Sequence, residues 1–177
     1  MNNFLRMTSL IATVAALALT AAPAQAASLV SASPQAKAKV KILKALTLSR
    51  VADLDFATVV LSGAGAWSGE VVAVSNTGVR TCGTTNLTCS GTTTAAEYNV
   101  TGSNSAVVNV NVPAAVTITN AAGNTLSVTT SGAPTSVTIP NSGSVGVNFK
   151  FGGTITLAST TPDGFYSGDI AVTADYQ

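Results

Sequence analysis

An all-β fold, an antiparallel β-sandwich, is what this sequence predicts, and three observations carry the prediction. Apolar residues recur at every second position through most of the chain. Clusters of Gly, Asn, Pro and Ser interrupt that alternation, and they mark about ten short strands at spacings of roughly ten residues. Only 8% of the 177 residues are charged against 46% hydrophobic. With Thr, Val, Ala, Gly, Ser and Asn filling the remainder, this is the composition of an extracytoplasmic β-protein rather than a cytosolic enzyme.

Residues 1–26 read as a secretory signal peptide. Arg6 supplies the positive start, Met7 to Ala22 is apolar apart from three Thr and one Ser, and Pro23-Ala24-Gln25-Ala26 presents the cleavage pattern. The apolar run is short for a membrane span and no later stretch replaces it, so direct membrane insertion is not expected after its removal. The remaining 151 residues suffice for one domain with a sizeable core. The organisation expected is signal peptide 1–26, N-terminal extension 27–44 and β-sandwich domain 45–177.

Ala36 to Ile42 alternates strictly, with Ala36, Ala38, Val40 and Ile42 on one face and Lys37, Lys39 and Lys41 on the other. The lysines read as a solvated strand face that discourages uncontrolled pairing. Leu46, Leu48, Leu54, Phe56 and Val60 continue the apolar signal. Val71 to Val74 reads as a buried strand before an Asn76-Thr77-Gly78 turn. Tyr98 and Val100 mark a short strand, and Val108, Val110 and Val112 alternate with Asn109 and Asn111 up to Pro113. Val116 and Ile118 face Leu126 and Val128 across a turn at 120–124. Val137 and Ile139 precede another turn, Val145 to Phe151 alternates up to Gly152-Gly153, and Ile155 and Leu157 resume. The last segment alternates from Tyr166 to Tyr176.

Cys82 and Cys89 are the two cysteines, and in an exported protein the pair reads as a structural disulfide. With no His and no further Cys, neither a metal site nor another cofactor is expected. The same absence leaves a Ser nucleophile without its commonest base, and no Ser-x-x-Lys spacing follows the signal peptide. Of the seven acidic residues, Asp53 and Asp55 alternate with Leu54 and Phe56 and read as a solvated strand face, and Asp163 reads as part of a turn, so no catalytic residues are assigned and the chain is not expected to be an enzyme. Eight basic residues against seven acidic ones give no electrostatic basis for binding nucleic acid. Trp67, in a glycine-rich stretch, either caps the core or stacks on a ligand.

The C-terminal segment is the most specific part of the sequence. Its apolar alternation runs to the penultimate residue, so a further strand beside it has to come from elsewhere. Left open, such an edge exposes an apolar groove, and strand addition from a neighbouring chain would cover it. Tyr176 is penultimate and Gly164 is fourteenth from the end. With alternating apolar residues between them, the tail resembles that of chaperone–usher pilus subunits. Leu46 to Phe56 and Gly152 to Leu157, taken with the tail, also look like an uncharacterised family of secreted bacterial β-domains that is itself pilin-like.

The resemblance implies an immunoglobulin-like sandwich completed by a donor strand, in a surface fibre subunit with a role in adhesion. Gly164, Tyr166, Gly168, Ile170, Val172, Ala174 and Tyr176 would form the strand that lines the groove and binds the periplasmic chaperone. Ala36, Ala38, Val40 and Ile42 would enter the groove of a neighbour; Leu29-Val30 and its surroundings are the other candidate donor. The implied partners are further copies of the subunit, a periplasmic chaperone and an outer-membrane usher, on a route through the periplasm to the cell surface. Many pilins carry their disulfide near the first strand, whereas this pair lies mid-chain. The alternative expectation is a secreted, monomeric binding module whose N-terminal strand folds back into its own groove.

Overall fold

Residues 28–83, 85–143 and 145–177 are described by the structure, a computed structural model. The expected signal peptide lies outside the described residues. Residues 28–40, taken by themselves, form no strand and are exposed throughout. The strand expected over Ala36 to Ile42 is therefore not formed: alternation gives this stretch two faces, but a strand also needs a hydrogen-bonded edge to pair with. Val40 and Ile42 remain 82% and 84% exposed.

From residue 41 onward the fold is all-β. In chain order the first six strands are β1 (Thr47–Ala52), β2 (Thr58–Leu61), β3 (Ser68–Val74), β4 (Arg80–Cys82), β5 (Leu87–Ser90) and β6 (Ala96–Thr101). They are followed by β7 (Val107–Asn111), β8 (Ala115–Thr119), β9 (Thr125–Ser131), β10 (Ser136–Thr138), β11 (Val147–Ala158) and β12 (Thr173–Tyr176). Twelve strands thus stand among the described residues where about ten were expected, because several are only three or four residues long. All pairings are antiparallel. One seven-stranded sheet runs β1-β6-β11-β3-β4 with β9 and β8 branching from β11; β10-β7-β12 and β2-β5 form two smaller sheets.

β11 organises the molecule. Its first half, Val147–Phe151, pairs with β6, and its second half pairs with β9 and β3. Phe149 and Phe151 join a core cluster with Ala96, Val100, Val108, Val110 and Ile139, between the β1-β6-β11 strands and the β10-β7-β12 sheet. Ile155 and Leu157 join a second cluster with Val72, Leu87 and Val128, which the β2-β5 sheet covers with Val59 and Leu61. The change of partners along β11 curls the seven-stranded sheet into a half-barrel. Gly152-Gly153, read from sequence as an interruption, lies inside this continuous strand. Both glycines are buried because neighbours press on them from either face: the end of β3 crosses Gly152, while Leu54 and Val128 close on Gly153.

The expected disulfide is formed. Cys82 at the end of β4 and Cys89 in β5, with Cα atoms 6.2 Å apart, tie the larger sheet to the two-stranded one. Replacing both cysteines by Ser should cost about 2–3 kcal/mol through the freed unfolded chain. Thermal melts of the oxidised chain and the double variant would measure this, and equal midpoints would contradict it.

Candidate functional site

The tail reaches the first core cluster along β7. Thr173, Ala174, Asp175 and Tyr176 pair with Asn111, Val110, Asn109 and Val108. Period-two geometry then turns Ile170, Val172, Ala174 and Tyr176 onto the cluster, half-buried, and leaves Ala171, Thr173 and Asp175 exposed. Among the described residues, β12 pairs with β7 alone and β1 pairs with β6 alone. Leu46 and Leu48, at the start of β1, pack on the same cluster as the tail. Two sheet edges, each with an unpaired side, therefore flank one core.

Hydrogen bonds fix the two ends of this seam. The Tyr176 hydroxyl accepts from the Ser103 N–H at 2.8 Å and donates to the Lys44 carbonyl at 2.8 Å. The Lys44 N–H in turn donates to Ser103 Oγ at 2.6 Å. Space for the tyrosine comes from Gly102, where a Cβ would collide with the Tyr176 hydroxyl and with Ile139. At the other end, the Tyr98 hydroxyl donates to the Ile170 carbonyl at 3.5 Å, and Tyr98 pairs with Arg50 of β1. Burial pushes the Tyr98 phenol above its ordinary pKa. The start of β1 thus lies near Tyr176 and its middle near Ile170, so the two edges run in opposite directions.

Tyr176→Phe keeps the ring and removes the hydroxyl, leaving the Ser103 N–H and the Lys44 carbonyl without this partner. A loss of about 1–2 kcal/mol is expected. Urea denaturation checks it, and an unchanged midpoint would show that water replaces the hydroxyl at no cost.

The upstream residues of the predicted strand sit elsewhere. Ser167 exchanges backbone hydrogen bonds with Thr119 of β8, at 2.9 and 3.1 Å. Gly168 packs on the Thr117 carbonyl and on Ile118, and the Tyr166 hydroxyl donates to the Pro162 carbonyl at 2.8 Å. Gly164, with φ +137°, lies against Asn120. The strand expected over the whole tail is accordingly confined to Thr173–Tyr176, because residues 164–168 lie along the β8–β9 hairpin instead of β7.

Asn120 is the residue that sequence reasoning missed as an anchor, seeing only a turn former. It is 7% exposed, accepts backbone N–H bonds from Ala122 and Asn124, and donates to the Asp163 carbonyl. Nothing in the pattern around it distinguishes it from the other turn asparagines.

Trp67 and two of the acidic residues make contacts within the domain. Trp67 is half-buried against the second cluster and its indole N–H donates to the Ser62 carbonyl at 3.3 Å, so it covers the core. Glu97 bonds to Asn148, at 2.7 Å, and to Lys150, at 3.2 Å; these contacts hold its carboxyl below the usual range. Asp53 pairs with Arg50 at 2.6 Å with both side chains exposed, a geometry that contributes little stability.

A family model described as a domain of unknown function, DUF4402, matches residues 46–176. No curated protein matches the chain, and no solved structure does. The match begins at Leu46, ends at Tyr176 and takes in every strand from β1 to β12. The chain belongs to the DUF4402 family.

Proposed function

We propose that this protein is a non-enzymatic structural subunit of a bacterial surface fibre, assembled by donor-strand complementation. The seam between β1 and β12 carries the reading: two edges, each unpaired on one side among the described residues, flank a shared apolar core. In this reading the two sheets around that core are an immunoglobulin-like sandwich lacking one strand. The subunit is exported, held at its β12 edge by a periplasmic chaperone, passed to an outer-membrane usher and built into a fimbria that serves adhesion.

The apolar patterns of donor and seam agree. Ile170 to Tyr176 and Ala36 to Ile42 each span seven residues with four apolar side chains at alternate positions, although the seam is extended only over Thr173–Tyr176 and turns at Ala171, where the Val172 N–H donates to the Ile170 carbonyl. Val40 and Ile42 are exposed on a stretch without a strand, the form a donor takes before insertion. Burying them would contribute roughly 1.5–3 kcal/mol each. A one-residue slip would turn the lysines into the core, which makes the register strict.

Electrophoresis of cell-surface material in SDS, with and without boiling, tests the proposal. A ladder of multiples that collapses to one band on boiling, and vanishes when residues 27–44 are deleted, is the expected result. A monomer band in both lanes from folded protein would overturn it in favour of the self-complemented secreted module.

A further inference from the structure

The outer face of the half-barrel carries an arrangement that donor-strand assembly does not use. Apart from Ala115, opposite Thr129, every outward position on β8 and β9 carries a hydroxyl, and Thr117, Thr119, Thr125, Ser127 and Thr129 are all exposed. Register places Thr119 opposite Thr125 and Thr117 opposite Ser127. It also places Thr129 opposite Thr154 of β11, whose next outward residue is Thr156. The hydroxyls therefore stand in rows, about 4.8 Å apart across strands and about 6.7 Å apart along them. No charged residue occupies an outward position on β8, on β9 or on the Gly152–Ala158 half of β11.

One row leads into a cleft. The bridge between Thr119 and Ser167 extends it past the edge of β8. Beyond lies an open cleft of about 500 Å³, lined by Thr119, Asp163, Phe165 and Ser167 among others. Phe165 is 85% exposed, so its ring is open to a ligand at the cleft. The cleft walls are nonetheless held in place, because buried Asn120 ties the β8–β9 turn to the Asp163 backbone. An aromatic ring on a fixed wall, with a carboxylate and two hydroxyls around it, matches the chemistry of a sugar ring: an apolar face bordered by hydroxyls.

We propose that this face binds a neutral glycan chain, with Phe165 stacking on one sugar, Asp163, Thr119 and Ser167 taking its hydroxyls, and the hydroxyl rows of β8, β9 and β11 extending the contact. A nucleic acid could stack on Phe165, but its phosphates would meet Asp163 and an uncharged sheet. The twist between neighbouring strands, about 20–25° each, favours a flexible chain over a flat crystalline surface. The proposal holds whether or not the subunit polymerises.

Electrophoresis of the mature chain through native gels containing dextran, soluble starch, mannan or hydroxyethyl cellulose tests it, with alginate as the acidic control. Retardation by at least one neutral polymer is expected. F165A and S127K should each weaken it about tenfold, and because both side chains are exposed their thermal melts should match that of the unaltered chain. Migration unaffected by every neutral polymer, retardation by alginate alone, or retardation unchanged in both variants would overturn the proposal.

Discussion

Gly152→Ala is expected to cost the domain about 3 kcal/mol or more, a drop of roughly 10 °C in melting temperature. The added methyl would point outward from β11, where the end of β3 passes directly over the strand. It would run into the Val74 carbonyl oxygen and lie 2.7 Å from the Ser75 carbonyl carbon. These are backbone atoms, so no side chain can swing aside, and β3 must lift. Lifting β3 disturbs the Gly153–Val74 pairing and withdraws Val72 and Val74, 0% and 1% exposed, from the interior. Gly63→Ala is the matched control: nothing lies within 4 Å of its Cβ position. There the change should stay within about 1 kcal/mol, and if anything stabilise. Calorimetry of the two variants decides the matter; similar melting temperatures would mean that β3 yields without cost.

Phe151→Ala should lose about 3–5 kcal/mol, a large share of the roughly 5–15 kcal/mol available to a domain of this kind. The ring is fully buried and packs near-parallel to Tyr98, with centroids 6.0 Å apart. Its removal opens a cavity where β6 and β11 meet, and Tyr98 cannot fill it while its hydroxyl holds the Ile170 carbonyl. Phe151→Leu, which keeps most of the volume, should cost less than about 1.5 kcal/mol. Urea midpoints measured at an unchanged slope would report both values. A Phe151→Ala midpoint equal to that of Phe151→Leu would mean that the core collapses around the gap.

Much of the fold was legible because period-two alternation reports directly which face a side chain occupies. Val116 and Ile118 meet Val128 and Leu126 in the register that their spacing implied, and Val108 and Val110 are buried while Asn109 and Asn111 are exposed. Pairing between distant segments was not legible. The β2–β5 sheet joins strands that local pattern does not connect, and Gly152-Gly153 marks crowding by other strands instead of an end. The candidate site divides in the same way. Ile170, Val172, Ala174 and Tyr176 share a face, as alternation requires, and they also share a neighbour. Tyr166 and Gly168 have the same parity and a different neighbour, the β8–β9 hairpin side, because parity specifies a face but never a partner. Ala36 to Ile42 has an equally regular pattern and forms no strand.

β11 passes unbroken through both core clusters, and Leu54 packs against both as well. Neither cluster can come apart without stripping the other of its central strand. The amides of β11 on either side of Gly152 should therefore share one opening event, with hydrogen exchange equally slow in the two halves. Strain applied at the β12 edge enters the β10-β7-β12 sheet and reaches β11 only through the side chains of the first cluster.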